Sequence, residues 1–349
     1  MSEHPTIALD AMGGDHAPAM VVEGAELARQ RFPGVHFLLF GAEDRLRPLL
    51  AKLPDLAAVT TVRHTDEVVT ADAKPAQALR TGHNTSMRLA IDAVHDGEAD
   101  GVVSAGNTGA LMAIAKFVLR TLPGIDRPAI ATFFPTLRGE SVMLDLGANV
   151  ECDSNNLIQF AVMGEVFART VLGLTQPTIG LLNVGAEELK GHDALRDAAM
   201  VLRNTKLPIK FRGFVEGDDI AKGTVDVIVT DGFTGNVALK TLEGTAQLIA
   251  VFLHETFRSS PMAKLGYLLA RPALAKLRNR MDPRRYNGAT FVGLNGIAVK
   301  SHGGTDPVGF ANAIGVAVDM IKNGFNDKIK AEFGRLGAEQ QFDSLAAAL

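Results

Sequence analysis

One alternation constrains this chain more than anything else in it. A short aliphatic run ends in a glycine-bearing polar turn, and a helical pattern follows. Val225 to Gly244, VDVIVTDGFTGNVALKTLEG, shows it most fully. Val225 to Val229 reads as a strand. The pattern breaks at Asp231-Gly232-Phe233-Thr234-Gly235-Asn236, and Val237, Leu239 and Leu242 resume it as a helix face. Val102 to Met112, VVSAGNTGALM, repeats the arrangement, with Gly106, Thr108 and Gly109 spaced like Gly232, Thr234 and Gly235. Ile7 to Pro18, Val142 to Asn149 and Ile179 to Lys190 each add a strand running into a glycine turn. Strands alternating with helices imply a mainly parallel sheet covered on both faces. Ala129–Phe134 and Ser141–Leu146, joined by a short turn, read as a hairpin, so the expected sheet is mixed.

A strand that turns through glycines into a helix presents backbone N–H groups beside the positive end of the helix dipole, which favours an anion. One such turn is equally well explained as tight packing. Five of them suggest more, because ligands of open α/β sheets sit outside the carboxyl ends of parallel strands. If the five strands are neighbours, their turns form one pocket edge. The donors there are the glycine backbones with Asn107, Asn149, Asn183, Asn236, Lys190 and His16. Amides suit an oxyanion and lysine suits a phosphate. Asp10, Asp145 and Asp231 at strand ends are placed to orient donors, or simply to cap turns.

Other chemistry is poorly supported. No G-x-G-x-x-G follows a strand and no G-x-x-x-x-G-K-[ST] occurs, so the usual nucleotide fingerprints are missing. Ser104 is misplaced for a nucleophile elbow. His16, His192 and His302 are scattered without metal-ligand spacing, so neither metal nor cofactor is expected. The net charge of −4 argues against nucleic acid as a partner. The single Cys152 fits a reducing compartment. No apolar stretch is long enough to span a bilayer, and the chain enters a strand at Thr6 without a signal peptide, so the expected location is cytoplasmic.

One stretch does not fit a sheet. Pro261 to Arg285 carries seven basic residues and one acid, a net +6 in a chain of −4. Leu265, Leu268, Leu269, Leu274 and Leu277 supply apolar faces on what reads as two short helices broken at Pro272. Arg278 and Arg280 are among the basic residues. Such a hairpin, at about residues 258–286, suits an anionic membrane surface or an acidic protein; a dimer arm burying the leucines is the plain alternative. The rest of residues 1–349 reads as a single α/β domain.

The glycine turns also carry a resemblance. IALDAMGGDHAP (Ile7–Pro18, with Asp10, Gly13, Gly14 and His16), SAGNTGAL (Ser104–Leu111), LDLGAN (Leu144–Asn149), LLNVG with Lys190-Gly191, and DGFTGNV (Asp231–Val237) resemble the bacterial phosphate acyltransferases of phospholipid synthesis. The resemblance runs from residue 7 to about residue 323. It implies a Rossmann-like three-layer α/β/α sandwich, similar to phosphotransacetylase and isopropylmalate dehydrogenase. It implies acyl transfer from acyl-carrier protein to inorganic phosphate, giving acyl phosphate. It further implies a homodimer, peripheral at the membrane, supplying an integral-membrane glycerol-3-phosphate acyltransferase. The family's functional lysine and asparagine match Lys190 and Asn236. Two stretches depart from its pattern: Thr81–Ser86 replaces a basic, serine-rich run, and Phe214 stands where asparagine is usual. Phosphate acetyltransfer from a coenzyme A thioester, or a membrane scaffold without catalysis, are the competing readings.

Overall fold

A computed structural model describes residues 4–205, 207, 209–280 and 282–347, with side chains described outside Arg278, Arg280 and residues 337–347. The first half alternates as expected: β1 (Thr6–Asp10), α1 (Ala19–Arg31), β2 (His36–Gly41), α2 (Glu43–Leu50), α3 (Pro54–Ala57), β3 (Thr60–His64), α4 (Pro75–Thr81), α5 (Ser86–His95), β4 (Gly101–Ser104) and α6 (Thr108–Leu119). The hairpin β5 (Ala129–Thr136) and β6 (Gly139–Leu144) follows, then α7 (Ser154–Val171), β7 (Thr178–Leu182), α8 (Asp193–Asn204), β8 (Lys210–Val215), α9 (Gly217–Lys222) and β9 (Val227–Val229). The chain closes with α10 (Gly232–Arg258), α11 (Pro261–Arg280), β10 (Ala289–Val292), β11 (Ile297–Lys300), α12 (Pro307–Lys322) and α13 (Phe325–Ala347).

All strands join one 11-stranded sheet in the order β3-β2-β1-β4-β11-β10-β5-β6-β9-β7-β8. The pairings are parallel except at β11–β10, β10–β5 and β5–β6. Alternating side chains feed two cores, one on each face. Ile7 and Leu9 of β1 belong to the core shared with α1, α7, α12 and α13, while Ala8 belongs to the core shared with α5 and α6. The apolar helix expected at Leu157–Leu172 is α7. Asp153 and Asn156 close a reciprocal capping box at its start, and nearly all of it is buried. Thr85 caps α5 through Arg88 N, as its position before an apolar run implies.

The basic hairpin differs from expectation in two ways. α11 is one continuous helix through Pro272 rather than two short ones. A helix-interior proline removes one N–H donor and crowds the carbonyl four residues back; on an exposed helix water can take up that carbonyl, so the helix can continue. The second limb is α10, so the excursion begins well before residue 258: only Gly232 and Gly235 of its length are buried. Phe257 and Tyr267 meet edge-on across the hairpin at 5.5 Å. Leu265, Leu268, Leu269 and Leu277 are exposed and Leu274 is half-buried. The expectation for the side chains of Arg278 and Arg280 falls outside what is described.

Candidate active site

The five glycine turns do not share one edge. β1 and β4 run with β11, but the hairpin sends β6 the opposite way, and β9 and β7 are parallel to β6. The turns after β1 and β4 therefore leave the sheet by one edge, and those after β6, β9 and β7 by the other. The expectation of a single pocket edge is corrected into two clusters.

At the second edge the turns lock together through a buried carboxylate. Asp145 Oδ1 accepts from the backbone N–H groups of Ile130, Gly147 and Ala148, and Oδ2 from Asn149 N and Nδ2. Burial pushes the Asp145 pKa up against these donors, which pull it down. Asn149 Nδ2 also reaches Pro128 O at 2.8 Å. Helix α10 lands on this turn. Gly232 N donates to Asn149 O at 2.7 Å, and Asp231 caps the helix by accepting from Thr234 N and Thr234 Oγ1, both at 2.8 Å. The approach leaves no room for a Cβ: at Gly232 one would stand 2.6 Å from Asn149 O, and at Gly235 one would overlap Asp145 O. These glycines are there for backbone contact.

β7 lies next to β9 and contributes the third turn. Asn183 Nδ2 donates to Lys190 O, and its Oδ1 accepts from Val184 N. Asn149 and Asn183 thus spend their amides on holding loops. Lys190 and Asn236 differ. Both side chains are exposed, neither has a partner among the described residues, and they follow adjacent strands. Asn236 stands over Gly147, and Val150, Val184, Leu189, Phe233 and Val237 are exposed apolar residues of the same three turns. An ammonium and an amide left free after neighbouring strands suit a phosphate and a polarised carbonyl oxygen.

The first edge is built around Asp10, fully buried. Ser86 Oγ and Ser104 Oγ donate to its two oxygens at 2.6 and 2.7 Å, and Gly106 N donates to Ser104 Oγ. Burial raises the Asp10 pKa. Gly13 is pressed against Asp10 and Gly106, and Gly14 against Ala105. Asn107 caps α6 through Ala110 N and straps Ala71 O and Ala73 O, so its amide is already used. Gly109 packs on Pro75; His16 and Thr108 are exposed.

Sequence reasoning missed two members here. Ser86 lies in the stretch that departs from the family pattern. Lys300 ends β11 beside this cluster, with Nζ donating to Ala105 O and Ser301 O. Burial lowers its pKa to about 8, against the pull of Asp10 and Asp15. The signal was present: Lys300-Ser-His-Gly-Gly-Thr-Asp306 is a sixth strand running into a glycine turn and a helix. Phe214, the other departure, is a buried core residue of β8.

Cys152 is half-buried, and burial, with the charges of Asp145 and Asp231, pushes its thiol up to about 12, which leaves it protonated. Among the described residues no group of three or more His, Cys, Asp or Glu could hold a metal ion, and no helix is long and apolar enough to cross a membrane.

Comparison with known proteins identifies the family. Residues 5–328 match the family described as "Fatty acid synthesis protein". A phosphate acyltransferase of Rhodospirillum centenum is 70% identical over 346 residues, covering 99% of this chain and 98% of that protein. One from Paramagnetospirillum magneticum is 63% identical over 348 residues, covering 100% and 99%. In fold, the chain resembles a phosphotransacetylase from Streptococcus pyogenes, with a TM-score of 0.63 at 17% identity over 92% of this chain and 95% of that one. With its whole length shared with such relatives, the chain belongs to the bacterial phosphate acyltransferases, within the fatty acid synthesis protein family.

Proposed function

We propose that this chain moves a long-chain acyl group from an acyl-carrier-protein thioester to inorganic phosphate, giving acyl phosphate for phospholipid synthesis. The observation that carries this reading is the free pair, Lys190 and Asn236, on adjacent turns whose other amides are engaged. Lys190 holds phosphate as a point charge. A phosphate oxygen attacks the thioester carbonyl, and the Asn236 amide donates to the oxygen that becomes negative. Collapse of the tetrahedral intermediate breaks the C–S bond, and the proton carried in by hydrogen phosphate leaves on the thiol. No acyl-enzyme forms. The Asp10 cluster, at the other edge, holds the α6 turn in shape.

The exposed leucines and basic residues of α11 support docking on an anionic membrane. There the acyl phosphate, apolar and labile, has the shortest path to an integral-membrane glycerol-3-phosphate acyltransferase. The working form is a homodimer. The deciding experiment incubates purified protein with palmitoyl-carrier protein, with and without phosphate. Thiol release that requires phosphate, with acyl phosphate as product, is expected; release indifferent to phosphate rejects the reading. Activity confined to acetyl-coenzyme A would favour phosphate acetyltransfer.

A further inference from the structure

Helices α9 and α10 enclose a groove of about 220 Å³, lined by Gly217, Ile220 and Ala221 on one side and Ala238, Thr241 and Leu242 on the other. None of these residues is charged, and Thr241 alone brings a polar side chain. α9 follows β8 and α10 follows β9, while β7 lies between those strands in the sheet. The groove therefore begins at the edge where the Lys190 turn emerges.

The spacing on α10 ties it to the site. Ala238, Thr241 and Leu242 follow Thr234 at i+4, i+7 and i+8, one stripe of a helix headed by a residue of the Asp231–Asn236 turn. Continued outward by another seven positions, the stripe reaches Leu248 and Ile249, which are 51% and 45% exposed. An uncharged groove thus leads from the turns into an apolar track on the excursion. A methyl added at Gly217 meets nothing within 4 Å, so the mouth is open. The volume is below the roughly 300–1,000 Å³ of sites for drug-sized ligands, which suits a narrow chain and not a nucleotide.

We propose that this groove binds the alkyl chain of the acyl donor, which passes round the first turn of α10 from the carbonyl at Asn236 to the stripe headed by Thr234 and runs along it towards Leu248 and Ile249. The proposal rests on the acyl-transfer reading above. Ile220, Ala238 and Leu242 form its walls, and Thr241 sets its bore. A carbonyl delivered at the turn and a tail laid along α10 also explain why the one limb of the excursion outside the basic stretch is so apolar.

Two substitutions narrow the groove, Ala238→Leu at a half-buried position and Thr241→Phe at an exposed one where the fold has room. Two readouts separate the claims. The first is binding of a fluorescent polyene octadecanoic acid to the full-length protein. The second is kcat/KM for acyl phosphate formation from hexadecanoyl- and butanoyl-carrier protein. Each methylene withdrawn from water is worth about fourfold, so displacing a few should weaken probe binding and hexadecanoyl transfer by about tenfold or more, and butanoyl transfer by less than about twofold. Unchanged probe affinity together with an unchanged hexadecanoyl-to-butanoyl ratio overturns the groove. Equal losses with both donors also overturn it, since the variants then act through the fold. If wild type makes no acyl phosphate from either donor, the acyl-transfer reading fails, and probe binding alone decides the groove.

Discussion

Two glycines of one helix should respond to the same substitution with opposite signs. Gly235 lies in the first turn of α10, where an added methyl would overlap Asp145 O and stand 2.9 Å from Thr230 Cγ2. The carbonyl is backbone, held by a carboxylate turn with five donors, and cannot give way. Relief must come from α10 backing off. Forcing extra volume into such a contact costs about 1–3 kcal/mol, and loosening the Asp231 cap adds about 1 kcal/mol. Gly235→Ala should therefore lose roughly 3 kcal/mol in urea unfolding. Asn236 moves with the turn, and a displacement of about 1 Å at a reacting group costs about 10² in rate. Gly244 lies farther along α10 and a methyl there meets nothing within 4 Å. Gly244→Ala should stabilise the helix by about 0.5–1 kcal/mol through backbone entropy alone. Slower amide exchange in α10, with unchanged acyl phosphate formation, is the expected result. A Gly235→Ala protein within about 0.5 kcal/mol of wild type and near full rate would refute the docking of α10 on the Asp145 turn as the reason for this glycine.

Lys190→Ala and Asn236→Ala should each lower turnover by about 10²–10³ with an unchanged circular dichroism spectrum, the cost of one lost oxyanion donor; near-native rates for both would remove them from the site. Mass spectrometry of the protein mixed with acyl donor but no phosphate should show no added acyl mass, because Cys152 is held protonated and transfer is direct; an adduct on Cys152 would reverse the mechanism. Leu268→Glu with Leu269→Glu should abolish flotation with anionic liposomes and spare activity on soluble donor; a variant that floats but becomes monomeric by light scattering makes the hairpin an assembly arm. Lys300 carries a depressed pKa near 8, so in the fold it is neutral between about pH 8 and 10.5 while the unfolded chain still binds the proton. Its burial penalty is complete below that window and fades as pH rises through it, by roughly 3 kcal/mol at about 1.4 kcal/mol per pH step. The stability of wild type relative to Lys300→Met, from urea titrations at pH 7 and pH 10, should rise accordingly; a pH-independent difference would mean that Lys300 is not desolvated.

The alternation of apolar runs, glycine turns and helical stripes was enough to specify an α/β chain with a mixed sheet, because side-chain period and turn chemistry are local properties of sequence. It placed the strands ending at Asp10, Ser104, Leu182 and Val229, the Thr85 cap, the hairpin of β5 and β6, and Lys190 on a turn; β6 ends at Leu144 rather than Leu146, and Asn236, expected in the break, lies in the first turns of α10, which Asp231 caps. Three things waited for tertiary structure. Which edge each turn occupies depends on strand order: β10 and β11, late in the chain, insert between β4 and β5, and β6 rather than β5 meets β9, so the turns divide. Which amides remain free depends on how each loop folds back on itself and on its neighbours. Asn107, Asn149 and Asn183 look like Asn236 in a motif, yet their donors are taken by Ala71 O, Pro128 O and Lys190 O. The role of Gly235 depends on Asp145 O, a backbone atom 90 residues earlier that no local pattern announces. Local chemistry chooses the elements, while long-range packing decides which polar groups are consumed and which are left to meet a substrate.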